Sequence, residues 1–346
     1  MKAKTLILTA MVAAALIACG CSDNTDNNLP RGKATEAQAA AFDRWFEAEA
    51  AAGQEIHSAM LLQHGKVIAE CWIEPNAPDS AHVMHSVSKT FTSMAVGLAI
   101  DEGLIKLDDH LVDFFPDKLP GEVSDNLRAI TVRDLLTMSC GHQMEHTNEI
   151  RYGDGEDWVA EFLSFPVEHE PGTYFCYNTI GTYMLSAIVS KVSGEKMVDY
   201  LQPRLWEPLG IEKPFWKECP KGNNYGGWGL YLKTEDMAKL GQTLLDGGKW
   251  HGKQVIPANW VAEAAREQMD NRPEHYDPEN DPNPDWHQGY CYQMWRCRHN
   301  AFRADGAYGQ YIIVIPDKDA VMAITAEVSN MQTELALVWD IILPVL

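Results

Sequence analysis

Apolar residues recur along the chain in two rhythms. From Val87 they fall at Val87, Phe91, Met94, Ala95 and Leu98, the three-and-four spacing of a helix with one face against a core, and Gly103 offers the stop. Helical patterns also predict segments over Glu36 to about Ala52, Thr179–Val192, Glu235–Asp246, Pro257–Arg266 and about Asn330–Leu343. Short apolar or alternating runs bounded by turn residues predict a hairpin, His57–Gln63 and Lys66–Trp72, around His64-Gly65. Four more strands are predicted near the end: Gln288–Trp295, Ala301–Ala304, Tyr308–Ile315 and Ala320–Ala326. Thr131 to His142 reads as a capped short helix that stops at Gly141. Strands at both ends of a helix-rich middle predict an α/β (α+β) fold. One antiparallel sheet is built from both termini and flanked by helices, with the α/β part at about 34–104 and 226–346 and a helical part inserted at about 105–225.

The first residues follow neither rhythm. Lys2 and Lys4 precede an apolar run, Leu6 to Ile17, that is too short to span a membrane as a mature helix. Leu16-Ile17-Ala18-Cys19 has the layout of a lipoprotein processing site. A signal peptide over 1–18, lipid attachment at Cys19 and export to a bacterial membrane follow as expectations. The polar, Asp/Asn-rich stretch 19–33 is expected to be a tether, and the folded body to occupy 34–346. A net charge of −21 argues against nucleic acid and strongly anionic partners. Besides Cys19 and Cys21, the remaining cysteines match no zinc or haem spacing; Cys140 and Cys176 read as packed thiols.

The candidate chemistry starts at the head of the Val87 helix. Ser86 and Lys89 stand one helical turn apart, so the amine can reach the hydroxyl. A serine is a weak nucleophile until a base takes its proton, and a desolvated lysine is such a base. Ser193-Gly194-Glu195-Lys196 repeats the spacing in a helix-ending turn and is given no role. His142-Gln143-Met144-Glu145-His146 has the spacing of an inverted zinc-protease motif. Its flanks lack a helical stripe, and solvated loop residues are the expectation. Asp270 to His287, with its four prolines, reads as a rigid acidic surface loop; the prolines and a missing glycine spoil a calcium-loop match. Trp286, Tyr290, Tyr292 and Trp295 are candidates for an acyl pocket or for core packing.

Several segments together resemble the β-lactamase-related serine hydrolases, the group of class C β-lactamases, DD-peptidases and CubicO-type esterases and amidases. These are His85-Ser86-Val87-Ser88-Lys89, Leu135-Leu136-Thr137-Met138-Ser139-Cys140-Gly141, Pro171-Gly172-Thr173-Tyr174-Phe175-Cys176-Tyr177, Gly227-Trp228-Gly229-Leu230 with Asp236-Met237-Ala238, and Gly306-Ala307-Tyr308-Gly309-Gln310. The resemblance covers Glu36 to the C-terminus and implies the β-lactamase/transpeptidase-like fold. It implies Ser86 as the acylated nucleophile, Lys89 as its proton acceptor and Tyr177 as a second acid/base group whose pKa the lysine charge lowers. The Ala307 N–H, after Gly306 at the start of a strand, is implied as the oxyanion donor opposite the Ser86 N–H.

Two positions depart from the family pattern. Tyr177-Asn178-Thr179 places Thr179 where the lactamases carry an asparagine amide, with Asn178 as a displaced substitute. Ala304-Asp305-Gly306 lacks the cation that grips a substrate carboxylate in lactamases and peptidases, which puts Asp305 at that substrate-facing position. The expected function is an exported, lipid-anchored serine hydrolase that forms an acyl-enzyme at Ser86 on a small ester or amide. A β-lactamase or D-amino-acid peptidase is the same-fold alternative, and a catalytically inactive binding lipoprotein the alternative of another class. No cofactor, metal or nucleic acid is implied, and the partners expected are the small-molecule substrate and the membrane.

Overall fold

The computed structural model describes residues 28–346, so the leader and Cys19 lie outside the described residues. After α1 (Glu36–Ala51) come β1 (Glu55–Gln63), β2 (Lys66–Trp72), the short β3 (His82–Val83) and α2 (Ser88–Asp101). The helical part follows: α3 (Leu111–Phe114), α4 (Asp125–Ala129), α5 (Val132–Leu136), α6 (Thr147–Tyr152), α7 (Trp158–Ser164), α8 (Thr179–Ser193) and α9 (Met197–Tyr200). The chain returns through β4 (Tyr231–Leu232), α10 (Thr234–Leu245), a small hairpin β5 (Lys249–Trp250) and β6 (Lys253–Gln254), and α11 (Ala258–Ala264). It closes with β7 (Trp295–Arg296), β8 (Phe302–Gly306), β9 (Gln310–Ile315), β10 (Ala320–Glu327) and α12 (Met331–Leu337).

Six strands form one antiparallel sheet in the order β2-β1-β10-β9-β8-β7, so the first and last strands of the chain lie side by side at its centre. The strands are apolar almost throughout because both faces are covered. Ala59, Leu61, Tyr311, Ile313, Met322 and Ile324 pack with Phe42 and Trp45 of α1 and with Leu335 and Trp339 near the C-terminus. The alternate positions Met60, Leu62, Ile312, Val314, Val321 and Ala323 join the second core with Met237, Leu240 and Leu244 of α10. Side chains alternate across a strand, so each strand feeds both cores. At Gly241 a Cβ would come within 2.5 Å of Val321, which shows how closely α10 lies on the sheet.

Four expectations are corrected. The tether ends earlier than residue 33: Leu29 is buried, its N–H donates to Glu235 Oε1 at 2.9 Å, and Arg31 forks between Glu70 and Glu235. The Gly32 N–H donates to Val67 O at 2.8 Å and the Val67 N–H to Pro30 O at 2.9 Å, so backbone bonds to β2 join Leu29 and Arg31 in pinning this segment. The strand expected at Gln288–Trp295 shrinks to β7, because Gln293 takes φ 65° and turns its amide inward to the Leu135 and Leu136 carbonyls, both at 3.0 Å. The Thr131 helix keeps its capping box with Asp134 but ends at Leu136, since Met138 takes φ 59° before Gly141 is reached. The C-terminal helix runs as expected from Met331 but widens into a π-type turn at Val338–Ile342. Among the described residues no helix is long and apolar enough to cross a membrane.

A fragment that begins at Ala34 lacks the Leu29 burial, worth roughly 2 kcal/mol, and the Arg31 fork. It is expected to unfold at a lower urea midpoint than one beginning at Asn28; equal midpoints would mean the segment adds nothing.

Candidate active site

Ser86 lies in a single 3₁₀ turn, His85–Val87, that leads directly into α2. His85 takes φ 44°, a conformation a side-chain-bearing residue adopts at a cost and holds only when its surroundings fix it. The fixing contacts are visible: Met84 N–H donates to Leu230 O at 2.8 Å, and the Leu230 N–H donates to Ser88 Oγ at 3.3 Å. Ser86 remains partly exposed, whereas Lys89, one turn further on, is only 1% exposed.

The Lys89 Nζ has three polar neighbours: Gly227 O at 2.8 Å, Ser86 Oγ at 3.0 Å and Thr179 Oγ1 at 3.2 Å. A neutral amine has two N–H groups and one lone pair. The first two serve the Gly227 carbonyl and the Thr179 hydroxyl, leaving the lone pair to accept the Ser86 O–H. Burial pushes the Lys89 pKa down to about 7, with Glu145 and Asp305 holding it up against that fall. The backbone of Gly226-Gly227 can come this close because neither residue has a Cβ. One at Gly227 would meet Thr179 O at 2.7 Å, and one at Gly226 would meet Ser186 at 2.8 Å.

Tyr177 packs its ring beside the amine, with the Lys89 Nζ 4.9 Å from the ring centroid, and stacks on Trp295 at 5.5 Å. Its pKa is raised, not lowered as expected. Burial is the main cause, with Asp305 and Glu145 adding to it and the Ser86 hydroxyl opposing. Tyr177 is a proton-bearing donor in the resting site.

Thr179 takes the place of the expected amide at Lys89, and Asn178 does not substitute for it. Asn178 is buried, and its Oδ1 accepts the Gly181 N–H at 3.0 Å as the cap of α8, so the substrate-facing role expected for Asn178 is corrected. Asp305 is likewise turned inward: two residues along the same strand face, Arg303 reaches it with Nε at 3.1 Å and Nη2 at 2.9 Å. It is an internal counter-charge and not a surface that grips substrate. Gly306 ends β8 against the nucleophile turn, where a Cβ would lie 2.3 Å from Met84 O. Ala307 follows as an exposed residue in the turn to β9, past the end of one strand instead of at the start of another.

The sequence did not single out Gly227 as an acceptor; the Gly-Gly pair at 226–227 was the available signal. Glu145 Oε1 accepts the Thr179 N–H at 3.1 Å at the start of α8. The histidines around it are not solvated. His142 is buried with both ring nitrogens unpartnered, and burial pushes its pKa down to about 4. His146 stacks on Phe165 at 4.0 Å and pairs with Glu149 at 2.8 Å. Among the described residues no three His, Cys, Asp or Glu side chains are grouped to hold a metal ion. Tyr290 and Trp295 pack with Met138, Phe175 and Tyr177 behind the phenol, while Tyr292 belongs to the main core. The six described cysteines are all free thiols.

A family model described as Beta-lactamase matches residues 42–343. This chain belongs to the beta-lactamase family. It is 26% identical to the 6-aminohexanoate-dimer hydrolase of Paenarthrobacter ureafaciens over 76% of this chain and 70% of that protein. It is also 26% identical to the lovastatin esterase of Penicillium rubens, over 51% of this chain and about half, 49%, of that protein. The octameric penicillin-binding protein homologue of Pyrococcus abyssi shares its fold at a TM-score of 0.66 and 19% identity, covering 87% of this chain and 76% of that one. The beta-lactamase/transpeptidase-like fold is thus shared with that penicillin-binding protein homologue.

Because only neutral Lys89 can accept the serine proton, the rate of Ser86 acylation is expected to fall as pH drops through about 7. Glu145→Gln removes a charge that holds the amine protonated, so the midpoint should move to lower pH. A stopped-flow pH profile with a neutral activated ester checks both; an unmoved midpoint in the variant would remove Glu145 from the electrostatics of the site.

Proposed function

We propose that this protein is an exported, lipid-anchored serine hydrolase that cleaves small esters or amides through an acyl-enzyme at Ser86. The observation that carries the reading is the fully buried Lys89 amine 3.0 Å from the Ser86 hydroxyl, with its other hydrogen-bonding positions already taken by Gly227 and Thr179. In the reaction, Ser86 Oγ attacks the carbonyl carbon while its proton passes to Lys89. The Ser86 and Ala307 N–H groups hold the oxyanion. Collapse expels the leaving group, which takes the Tyr177 phenol proton, and Lys89 returns a proton to the phenolate. Water then repeats the sequence in reverse, and Ser86 regains its proton as the acid product departs.

The substrate class rests on the third motif and on the relatives. Within β8 the one cation, Arg303, is fully buried and committed to Asp305, so this strand presents no charge to a lactam or D-peptide carboxylate. The two named relatives are a 6-aminohexanoate-dimer hydrolase and a lovastatin esterase. The anchor rests on the Leu16–Cys19 processing pattern.

Intact mass after treatment with a fluorophosphonate is expected to show one adduct, absent in Ser86→Ala. Lys89→Ala and Lys89→Arg should slow its formation by about 10³-fold or more, the scale of losing a member of a catalytic unit. A folded wild-type protein that takes no adduct would leave the inactive binding-protein reading standing. In cells, Cys19→Ser is expected to abolish incorporation of labelled fatty acid; continued labelling would place the anchor elsewhere.

A further inference from the structure

Gln293 is a buried residue that the reaction above does not use. Its backbone takes φ 65°, a left-handed conformation that a residue with a Cβ holds only when its surroundings impose it. The side chain is equally constrained. Its amide N–H groups donate to Leu135 O and Leu136 O, both at 3.0 Å, the open carbonyls at the end of α5, and the backbone N–H donates to Leu136 O at 3.2 Å. The side-chain oxygen accepts the Thr182 hydroxyl at 2.6 Å, and the backbone carbonyl accepts the Thr90 hydroxyl at 3.1 Å. Every polar group of Gln293 is therefore committed, and its bonds reach the three helices α5, α8 and α2.

Two of those partners stand beside the candidate active site. Thr90 follows Lys89 on α2, and Thr182 lies one turn after Thr179 on α8. The two helices are thus bridged twice: directly, from Lys89 Nζ to Thr179 Oγ1 at 3.2 Å, and through Gln293 by way of Thr90 and Thr182. The direct bridge is the longest of the Lys89 hydrogen bonds and depends on the spacing of the helices. The Gln293 bridge is buried and anchored independently on α5.

We propose that Gln293 is a positioning residue for acylation: it fixes the separation of α2 and α8, so that Thr179 takes one Lys89 N–H and the amine's lone pair stays on Ser86. The inference deepens the hydrolase reading above and rests on it. If the helices part, the N–H released from Thr179 turns to the nearest remaining acceptor, the Ser86 oxygen. The amine then donates to Ser86 Oγ instead of accepting from it, and the nucleophile keeps its proton.

The test uses the full chain, a neutral activated ester and single-turnover rates, corrected for the fraction of Ser86 that a fluorophosphonate labels. Thr182→Val removes only a hydroxyl from the bridge. Its saturating acylation rate is expected to fall about tenfold, the scale of one hydrogen bond, with the half-saturating ester concentration unchanged, and Thr182→Ser should retain the wild-type rate. Thr179→Val should slow acylation as well, and adding Thr182→Val to it should cost nothing more, because both act through the same contact. Where Thr182→Val fails to fold, Thr90→Val interrupts the bridge at its other end and is read in the same way. A wild-type rate in the folded variant, or losses that multiply in the double variant, overturns the proposal.

Failure of the hydrolase reading is separate, because then no protein is acylated, wild type included. The Lys89 Cε resonance, assigned by its loss in Lys89→Arg, decides in that event. Thr179 Oγ1 accepts from the amine and so favours the ammonium, while Glu145 and Asp305, the charges that face Lys89, are the same in both proteins. A titration midpoint moved to lower pH in Thr182→Val supports the bridge, and an unmoved one rejects it.

Discussion

Taking the Lys89 amine out of water is the constraint around which the molecule is arranged. An ammonium at that depth would lack solvation, and the neutral amine that burial favours is the form that can accept a proton from Ser86. Everything touching it contributes to the desolvation: α2 is buried along almost its whole length, α8 packs beside it, and the Gly226-Gly227 backbone closes the remaining side. The two carboxylates nearby, Glu145 and Asp305, oppose the effect, and the amine's pKa comes down to about 7.

A second layer keeps that environment apolar without leaving charges unpaired. Arg303 is fully buried, yet it bonds Asp305 and the Asp285 carbonyl at 2.8 Å and lies over the rings of Trp286 and Trp295. Trp295 in turn stacks on Tyr177. The guanidinium thus fixes the aromatic wall behind the phenol, and removal of either partner of such a buried pair strands a charge. Asp285 comes from the acidic loop at 270–287, which contributes an inner counter-charge to Arg298 and hydrogen bonds to Gln332 and Trp339 as well as an outer surface.

Much of this was legible in the sequence because it depends on local spacing. The one-turn separation of Ser86 and Lys89, the helix from Thr179, the hairpin at 57–72 and the closing strands all follow from periodicity and turn residues. What escaped depends on partners distant along the chain. Gly227 acts through a carbonyl, which carries no side-chain signature, and Asn178 looks like a binding amide until the helix that it caps is seen. Gln293 interrupts an apolar run because Leu135 and Leu136 offer carbonyls some distance back along the chain. Leu29 and Arg31 sit in a stretch whose composition is that of a linker, yet two anchoring side chains outweigh composition. The pKa of Tyr177 was misjudged for the same reason: its direction is set by burial and by Asp305 and Glu145, which only the fold brings beside the phenol.

The pairing of β1 with β10 sets when the candidate site can come together. Glu55 lies opposite Glu327, so the first strand gains its inner neighbour only once residues 320–327 have been made. Ser86 and Lys89 are among the early residues, but the Gly306–Ala307 turn that completes the site waits for the last strands. A chain that stops short of β8 therefore carries Ser86 and Lys89 without the strand end that packs against them.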